Sequence, residues 1–334
     1  MRLKTIGLFV ILALGLLALP LSADGQEPEK IYRIGYLRHV SGPHAQDETF
    51  RQALRDLGWI EGQNIAIEYR WAAGKIDRLP ALAEELVRLK VDLIVTAIGP
   101  VIQAAKNATS TIPIVMLYGA DAVENGLVAS LARPGGNVTG MTEQYADLNT
   151  KLLELLHETL PMVTRVAFLW NPASPTYART FRKAQAVAPA LGLTLQSLEF
   201  DHHRKAELRL EKIESLLEAA VQERAGALLV MGAMYNIFGR RIAEFAAKNR
   251  VPVFSVSRPA VEKHFGLIGY GANRSDRARR AATYVDKILK GAKPADLPVQ
   301  RPQKFDLLIN MKTAKQLGIT IPPEVLYRAT KVIK

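Results

Sequence analysis

The residue types that could do chemistry are polar rather than reactive. The chain has no cysteine, which excludes a thiolate zinc site, an iron–sulfur cluster, a disulfide scaffold and a cysteine nucleophile. It also excludes a lipid-modified N-terminal cysteine. His202 and His203 are adjacent. Neighbouring residues seldom aim at one ion and no acidic cluster is near in sequence, so no metal is expected. Asp121 and Glu124 are carboxylates three residues apart. Asp121 ends an apolar run, where it either caps a helix starting near Asn125 or receives a ligand ammonium. General acid–base work ranks below both. GxGxxG, a P-loop, GxSxG and HExxH are all missing from the strand-end loops, and no cofactor is expected.

What is left is a scatter of hydroxyls and amides: Ser41, Thr96, Asn171, Ser174, Asn236, Ser255 and Ser257. They suit hydrogen bonding to a small polar molecule, or plain helix capping, and the residues alone do not choose. Gly99-Pro100 opens a helix whose N–H groups could hold a carboxylate. Trp59 and Trp71 lie beside turns and read as packing. Asn107, Asn137 and Asn273 match a glycosylation pattern short enough to occur by chance.

These residues fall in loops that end apolar runs, at 38–44, 96–100, 118–123, 171–176, 232–236 and 257–259. Runs such as 31–37, 91–97, 112–118 and 165–171 are short and rich in Ile, Val, Leu and aromatics, which suits buried strands. Between them lie helical periods. Leu79, Leu82, Leu86 and Leu89 make one apolar stripe, and Phe181, Ala184, Ala188 and Leu191 another. Strands separated by helices of 10–15 residues imply right-handed crossovers and parallel sheets. The pattern runs twice, so the chain reads as α/β with two lobes of like topology. In open parallel sheets ligands bind beyond the carboxyl ends of the strands, where the polar loops lie. The tail adds a helix over 278–289, a Pro-rich stretch that returns the chain between lobes, a strand over 305–310 and a short helix from Lys312.

The N-terminus has its own chemistry. Arg2 and Lys4 precede an apolar stretch from Ile6 to Leu19, then Pro20 and a small-residue site ending at Ala23. This is the pattern of a secretory signal peptide over residues 1–23, with cleavage after Gly25 as the alternative. The stretch is short of the roughly 20 residues that span a bilayer. The 334 residues carry a formal net charge of +12, with 49% hydrophobic and 23% charged. That composition excludes a disordered chain. Export and the mixing of basic with acidic residues argue against a nucleic-acid partner.

Several stretches resemble the ABC-transporter substrate-binding proteins of the tryptophan/tyrosine-binding type. They are Leu57-Gly58-Trp59-Ile60-Glu61-Gly62-Gln63-Asn64, Arg78-Leu79-Pro80-Ala81-Leu82, the run from Gly126 to Asn137, Trp170-Asn171-Pro172, and the run from Tyr284 to Ala292. The likeness implies a type I periplasmic-binding-protein-like fold, two Rossmann-like lobes with a ligand cleft between them. One lobe would hold residues 31–143 with about 272–300, the other 144–271 with about 301–334. It implies a periplasmic monomer that captures an amino-acid-like or aromatic solute, closes by hinge motion and delivers it to an ABC permease with its ATPase. Carried over by position, the cleft residues are Ser41, Thr96, Gly99 and Asp121 from one lobe. The other supplies Asn171, Ser174, Met234, Tyr235 and Arg258, with Tyr270 near a crossing. Two positions depart from the family pattern: Asp121-Ala122, and Ala233-Met234-Tyr235, where similar proteins often carry Asp-Pro. The second change favours a more apolar or aromatic ligand, whereas Arg38, His39 and His44 would suit an acidic one. A ligand sensor for a membrane receptor and an exported α/β enzyme are the other readings; the missing nucleophile–base motif counts against the enzyme.

Overall fold

A computed structural model describes residues 30–201 and 206–334. The leader segment and the His202-His203 pair lie outside the described residues. Among those described, no helix is long and apolar enough to cross a membrane.

The first half of the chain alternates strand and helix. In order come β1 (Tyr32–Arg38), α1 (Ala45–Asp56), β2 (Ile65–Trp71), α2 (Leu79–Arg88), β3 (Leu93–Ala97), α3 (Gly99–Ala108), β4 (Ile114–Ala120) and β5 (Val138–Glu143). The strands form one parallel sheet in the order β2-β1-β3-β4-β5. β3 is buried along its whole length, and its Leu-Ile-Val run fits a strand covered on both faces. One face packs on Phe50, Ala53 and Leu54 of α1. The other packs on Leu79, Leu82, Ala83 and Leu86 of α2 and on Val101 and Ile102 of α3, the stripe that the leucine spacing predicts.

From β5 the chain passes into a second set: α4 (Tyr145–Thr159), β6 (Arg165–Trp170), α5 (Pro175–Val187), β7 (Thr194–Glu199), α6 (Ala206–Gln222), β8 (Ala227–Val230), α7 (Gly232–Asn249), β9 (Val253–Ser255), α8 (Arg258–Glu262) and β10 (Gly266–Ala272). It then sends α9 (Arg274–Leu289) back to the first sheet. There Ala278, Ala281, Ala282, Val285 and Ile288 join the core of β1 and α1. The small side chains let α9 lie close against α1. Finally β11 (Phe305–Asn310), α10 (Met311–Leu317), α11 (Pro323–Tyr327) and β12 (Lys331–Ile333) complete the second sheet. Its order is β12-β11-β10-β9-β8-β6-β7. The fold is therefore α/β with two sheets, and the chain passes between them near 144, 273 and 302–304.

Three expectations are corrected. The second sheet is mixed, because β11 runs antiparallel to β10. β11 enters after the excursion of α9, so its direction follows the path of the chain. α7 begins at Gly232, earlier than the spacing implies, so Met234 and Tyr235 sit in its first turn rather than in a loop. No helix starts near Asn125: residues 121–130 form turns, with the Asn125 N–H donating to the Asp121 carbonyl.

Candidate functional site

Both sheets change direction of build-out at one place. In the first, β1 lies between β2 and β3; in the second, β6 lies between β7 and β8. Loops leaving strands at such a point diverge to opposite faces of the sheet and leave a crevice. The crevice of the first sheet is flanked by the loops after β1 and β3, which carry Ser41 and Gly99. That of the second is flanked by the segments after β6 and β8, which carry Asn171, Ser174, Met234 and Tyr235. Asp121 follows β4 and Arg258 follows β9, each one strand further on.

The first wall is built on unusual backbone. Ile98 has φ 63 and ψ 145, a conformation that costs a β-branched residue on the order of 1–3 kcal/mol. Its N–H donates to the Tyr118 carbonyl, 2.9 Å away on the next strand. This geometry turns the chain straight into α3, whose N-terminus has Pro100 in its first turn and no side-chain cap. Thr96, just before it, is fully buried, and its Oγ1 has no hydrogen-bond partner among the described residues. Ser41 is exposed and lines an open concavity of about 560 Å³ with His39, His44, Ala73 and Gly74. Arg38 does not serve this surface. Its side chain is buried and paired with Asp47, which also accepts from the Tyr36 hydroxyl at 2.5 Å. The expected use of Arg38 for an acidic ligand is therefore corrected. His39 is held below the ordinary histidine range by burial and by the neighbouring Arg38 and His44, and so carries little positive charge at neutral pH.

Asp121 lies where the two lobes meet. Its backbone has φ 45, a conformation that Asp tolerates better than most residues. The backbone N–H of Tyr145, the first residue of α4, favours the ionised form of Asp121. A carboxylate near a helix N-terminus is favourably placed, and the helix beside Asp121 is α4 of the other lobe. Arg179 on α5 stands 3.7 Å away. Burial nonetheless outweighs these partners and raises Asp121 from 3.8 to about 6. The surroundings are aromatic: Tyr145 and Tyr177 have ring centroids 6.2 Å apart, and the Arg277 guanidinium lies over the Tyr118 ring at 4.6 Å. Arg277 pairs with Glu143 in a buried bridge. Burial lowers Arg277 to about 10.

The second wall is more fully committed to structure. Asn171 Oδ1 accepts from the Ala173 N–H at 2.9 Å, and Ser174 caps α5 by accepting from the Tyr177 N–H at 3.4 Å. Ser255 donates to the Val230 carbonyl and accepts from the Ser257 N–H. Arg258 pairs with Asp306 at 2.8 Å and with Glu262 at 3.0 Å. Met234 and Tyr235 are buried, and the Tyr235 hydroxyl has no partner among the described residues. Tyr270 stacks on Phe305 at 5.6 Å. Trp59 and Trp71 both pack: Trp59 donates to Asp286 at 3.0 Å, and Trp71 stacks on Tyr69. Sequence reasoning missed Asn125, Tyr145, Thr176, Arg179 and Arg277. No local pattern marks them, since each acts through a partner distant in the chain.

Comparison with known proteins agrees with this geometry. Residues 34–333 match the family model described as ABC transporter substrate binding protein. A tyrosine-binding protein of Clostridioides difficile is 26% identical over 306 residues, covering 89% of this chain and 83% of its own. The crystal structure of an ABC domain from Streptococcus pneumonia in complex with L-Trp superposes with a TM-score of 0.79 at 25% identity, covering 91% of this chain and all of that one. A conserved domain protein from Vibrio cholerae superposes equally well, with a TM-score of 0.79 at 28% identity over 91% of this chain and 100% of its own. The match runs from within β1 to the end of β12, and this chain belongs to the ABC transporter substrate-binding protein family.

Proposed function

We propose that this protein is the extracytoplasmic solute receptor of an ABC importer and that its solute is a free aromatic amino acid or a close analogue. The observation that carries the reading is the under-compensated carboxylate of Asp121. It is buried, it faces tyrosines, and its resident partners leave it short of counter-charge. A ligand ammonium supplies what is missing. The uncapped N-terminus of α3 is the complementary group, since backbone N–H groups at a helix start favour a carboxylate. It follows β3, and Asp121 follows β4. Adjacent strands lie about 4.8 Å apart, a separation suited to the two charged ends of one amino acid. The arginines named near the cleft are each occupied by a carboxylate of the protein, which disfavours a purely acidic ligand. That one relative is named for tyrosine and another was crystallised with L-Trp supports the same class. Hinge closure over the solute would then present the closed receptor to the permease.

The test is calorimetry on mature protein unfolded and refolded to strip bound solute. L-Trp, L-Tyr and L-Phe are compared with tryptamine and indole-3-propionate, which lack the carboxylate and the ammonium respectively. Binding of at least one amino acid, with both truncated analogues weaker by tenfold or more, is the expected result. Equal binding of indole-3-propionate, or binding of sugars alone, would overturn it.

A further inference from the structure

The two edges of the first sheet differ. β5, at one edge, is flanked by the returning chain: the Gln300 N–H donates to the Gly140 carbonyl, and the Gln300 carbonyl accepts from the Thr142 N–H, both at 2.9 Å. β2, at the other edge, pairs with β1, and among the described residues no strand lies on its far side. The direction of its backbone groups is fixed. The Tyr32 N–H donates to the Asn64 carbonyl and the Ala72 N–H to the Arg38 carbonyl. Even-numbered residues of this stretch therefore face β1, and Ile65, Ile67, Tyr69 and Trp71 direct their N–H and C=O groups away from it. Ile65 uses its pair locally, with Ile60 and Gly62. The outward edge is thus Ile67, Tyr69 and Trp71, with Arg70 Nη1 donating to the Tyr69 carbonyl at 2.9 Å. A seven-residue edge of this kind is a template for another strand.

Side chains add a second constraint. Ile67, Tyr69 and Trp71 pack on the core under α1. Glu68 and Arg70 stand on the other face, both partly exposed, with Arg70 held by Glu85 of α2 at 2.8 Å and by Glu68 at 3.7 Å. In an antiparallel pairing of β2 with its own copy, outward-facing residues must meet outward-facing residues. Centring the pair on Tyr69 sets Ile67 opposite Trp71 and Tyr69 opposite itself, each pair exchanging two backbone hydrogen bonds. It also sets Glu68 opposite Arg70 twice over, in the intervening pairs where side chains lie closest. Shifting the centre either way brings in Ile65 or Ala73, whose N–H groups donate to the Ile60 and Val40 carbonyls. A one-residue shift also opposes Glu68 to Glu68 or Arg70 to Arg70. The register that the backbone permits is the register in which the charges match.

We propose that β2 is the interface with a second copy of this chain, two first sheets joining edge to edge into one continuous sheet in the register centred on Tyr69. Glu68 of each copy pairs with Arg70 of the other, and Glu85 holds Arg70 in place for it. The partner is a second copy because the strand is complementary to itself. The paired strands run in opposite directions, so the carboxyl ends of the two sheets do as well. The proposal departs from the monomer that the family likeness implies and does not depend on the solute.

Sedimentation equilibrium of the mature protein over a concentration series should show a reversible monomer–dimer equilibrium. Glu68→Lys and Arg70→Glu each oppose like charges at both cross-strand positions, and each should raise the dimer dissociation constant about tenfold or more. A mixture of the two should recover it, since unlike charges then meet at both positions of the mixed dimer. Circular dichroism checks that each variant is folded. A second measurement needs no charge reversal beside Glu85. The chain has no cysteine, so Glu68→Cys mixed with Arg70→Cys should give a disulfide-linked dimer with oxidised glutathione, and either variant alone should give far less. A parent that stays at monomer mass across the series would overturn the proposal. So would a dimer that Glu68→Lys does not weaken, or cross-linking as fast in the single variants as in the mixture.

Discussion

Replacing Asp121 by Asn should stabilise the protein at neutral pH while removing its ligand. Burial raises Asp121 from 3.8 to about 6, despite Arg179 and the α4 N-terminus. Protons therefore bind more tightly in the folded chain than in the unfolded one. The carboxyl group contributes its full stability below about pH 4 and loses it as pH rises through 6. Above that, the ionised group costs the fold about 3 kcal/mol relative to its neutral form. The side chain is only 9% exposed, so solvent screening takes little from this figure. Asn imitates the neutral carboxyl and accepts the left-handed backbone at this position. With roughly 2 cal/mol/K of unfolding entropy per residue, 3 kcal/mol in about 300 residues is about 5 °C in melting temperature. Melting of the parent and Asp121→Asn between pH 3.5 and 8 is the assay. The curves should coincide near pH 4 and separate by several degrees at pH 7.5, and titration of the variant with aromatic amino acids should give no binding. A variant less stable than the parent at pH 7.5, or a difference independent of pH, would refute the reasoning.

The buried Glu143–Arg277 bridge should behave as a unit. Glu143→Gln should cost about 3–5 kcal/mol by leaving a buried guanidinium uncompensated, and adding Arg277→Met should recover most of it in urea unfolding. Gly140 has φ 117, and a Cβ there would sit 2.5 Å from the Met116 carbonyl oxygen. Gly140→Ala should therefore strain β4 and β5, costing more than the roughly 1 kcal/mol of an ordinary glycine replacement and lowering the melting temperature. Tyr235→Phe should leave the ligand-free protein as stable as the parent or up to about 1 kcal/mol more so, because it deletes a buried hydroxyl without a partner among the described residues. If solute affinity falls as well, the hydroxyl is used by the ligand.

The parts of this fold visible in the sequence are those with a period. β3 and β6 are apolar runs because both sides are covered, and α2 shows its leucine stripe because one face is buried. α8 and β12 are five and three residues long, too short for any period to register. The antiparallel setting of β11 is invisible for a different reason: residues 305–310 read the same in either direction, and the return path from α9 decides. The strand-end loops could be named in advance from the alternation of strand and helix, but which of them flank the switch points depends on strand order, which only the structure gives. Asp121 was legible as a carboxylate at a strand end, but its neighbour Tyr145 at the start of α4 was not, since that helix belongs to the other lobe. Asn125 and Arg179 meet across 54 residues of chain, and nothing in either neighbourhood announces the other.

The distribution of backbone strain bears on why the site is where it is. Six described residues other than glycine have positive φ. Lys90, Arg224 and Arg250 follow the C-termini of α2, α6 and α7, an ordinary place for a left-handed residue. Ala73, Ile98 and Asp121 instead follow the carboxyl ends of β2, β3 and β4, where no helix end calls for it. Gly at position 98 would relieve the strain but would also lose the packing of the Ile98 side chain against the core under α2 and α3. The strain persists because the sheet and the Ile98–Tyr118 hydrogen bond over-determine the turn, and the turn aims the start of α3 beyond the sheet. Asp121 extends the same logic to charge. Its ionised form costs stability at neutral pH, a cost that the ammonium of the proposed solute would offset. A receptor whose empty site is strained in backbone and short of counter-charge gains from ligand what an optimised fold would already have spent. On the proposed receptor reading, a solute that relieves both would be coupled to the closure of the two lobes.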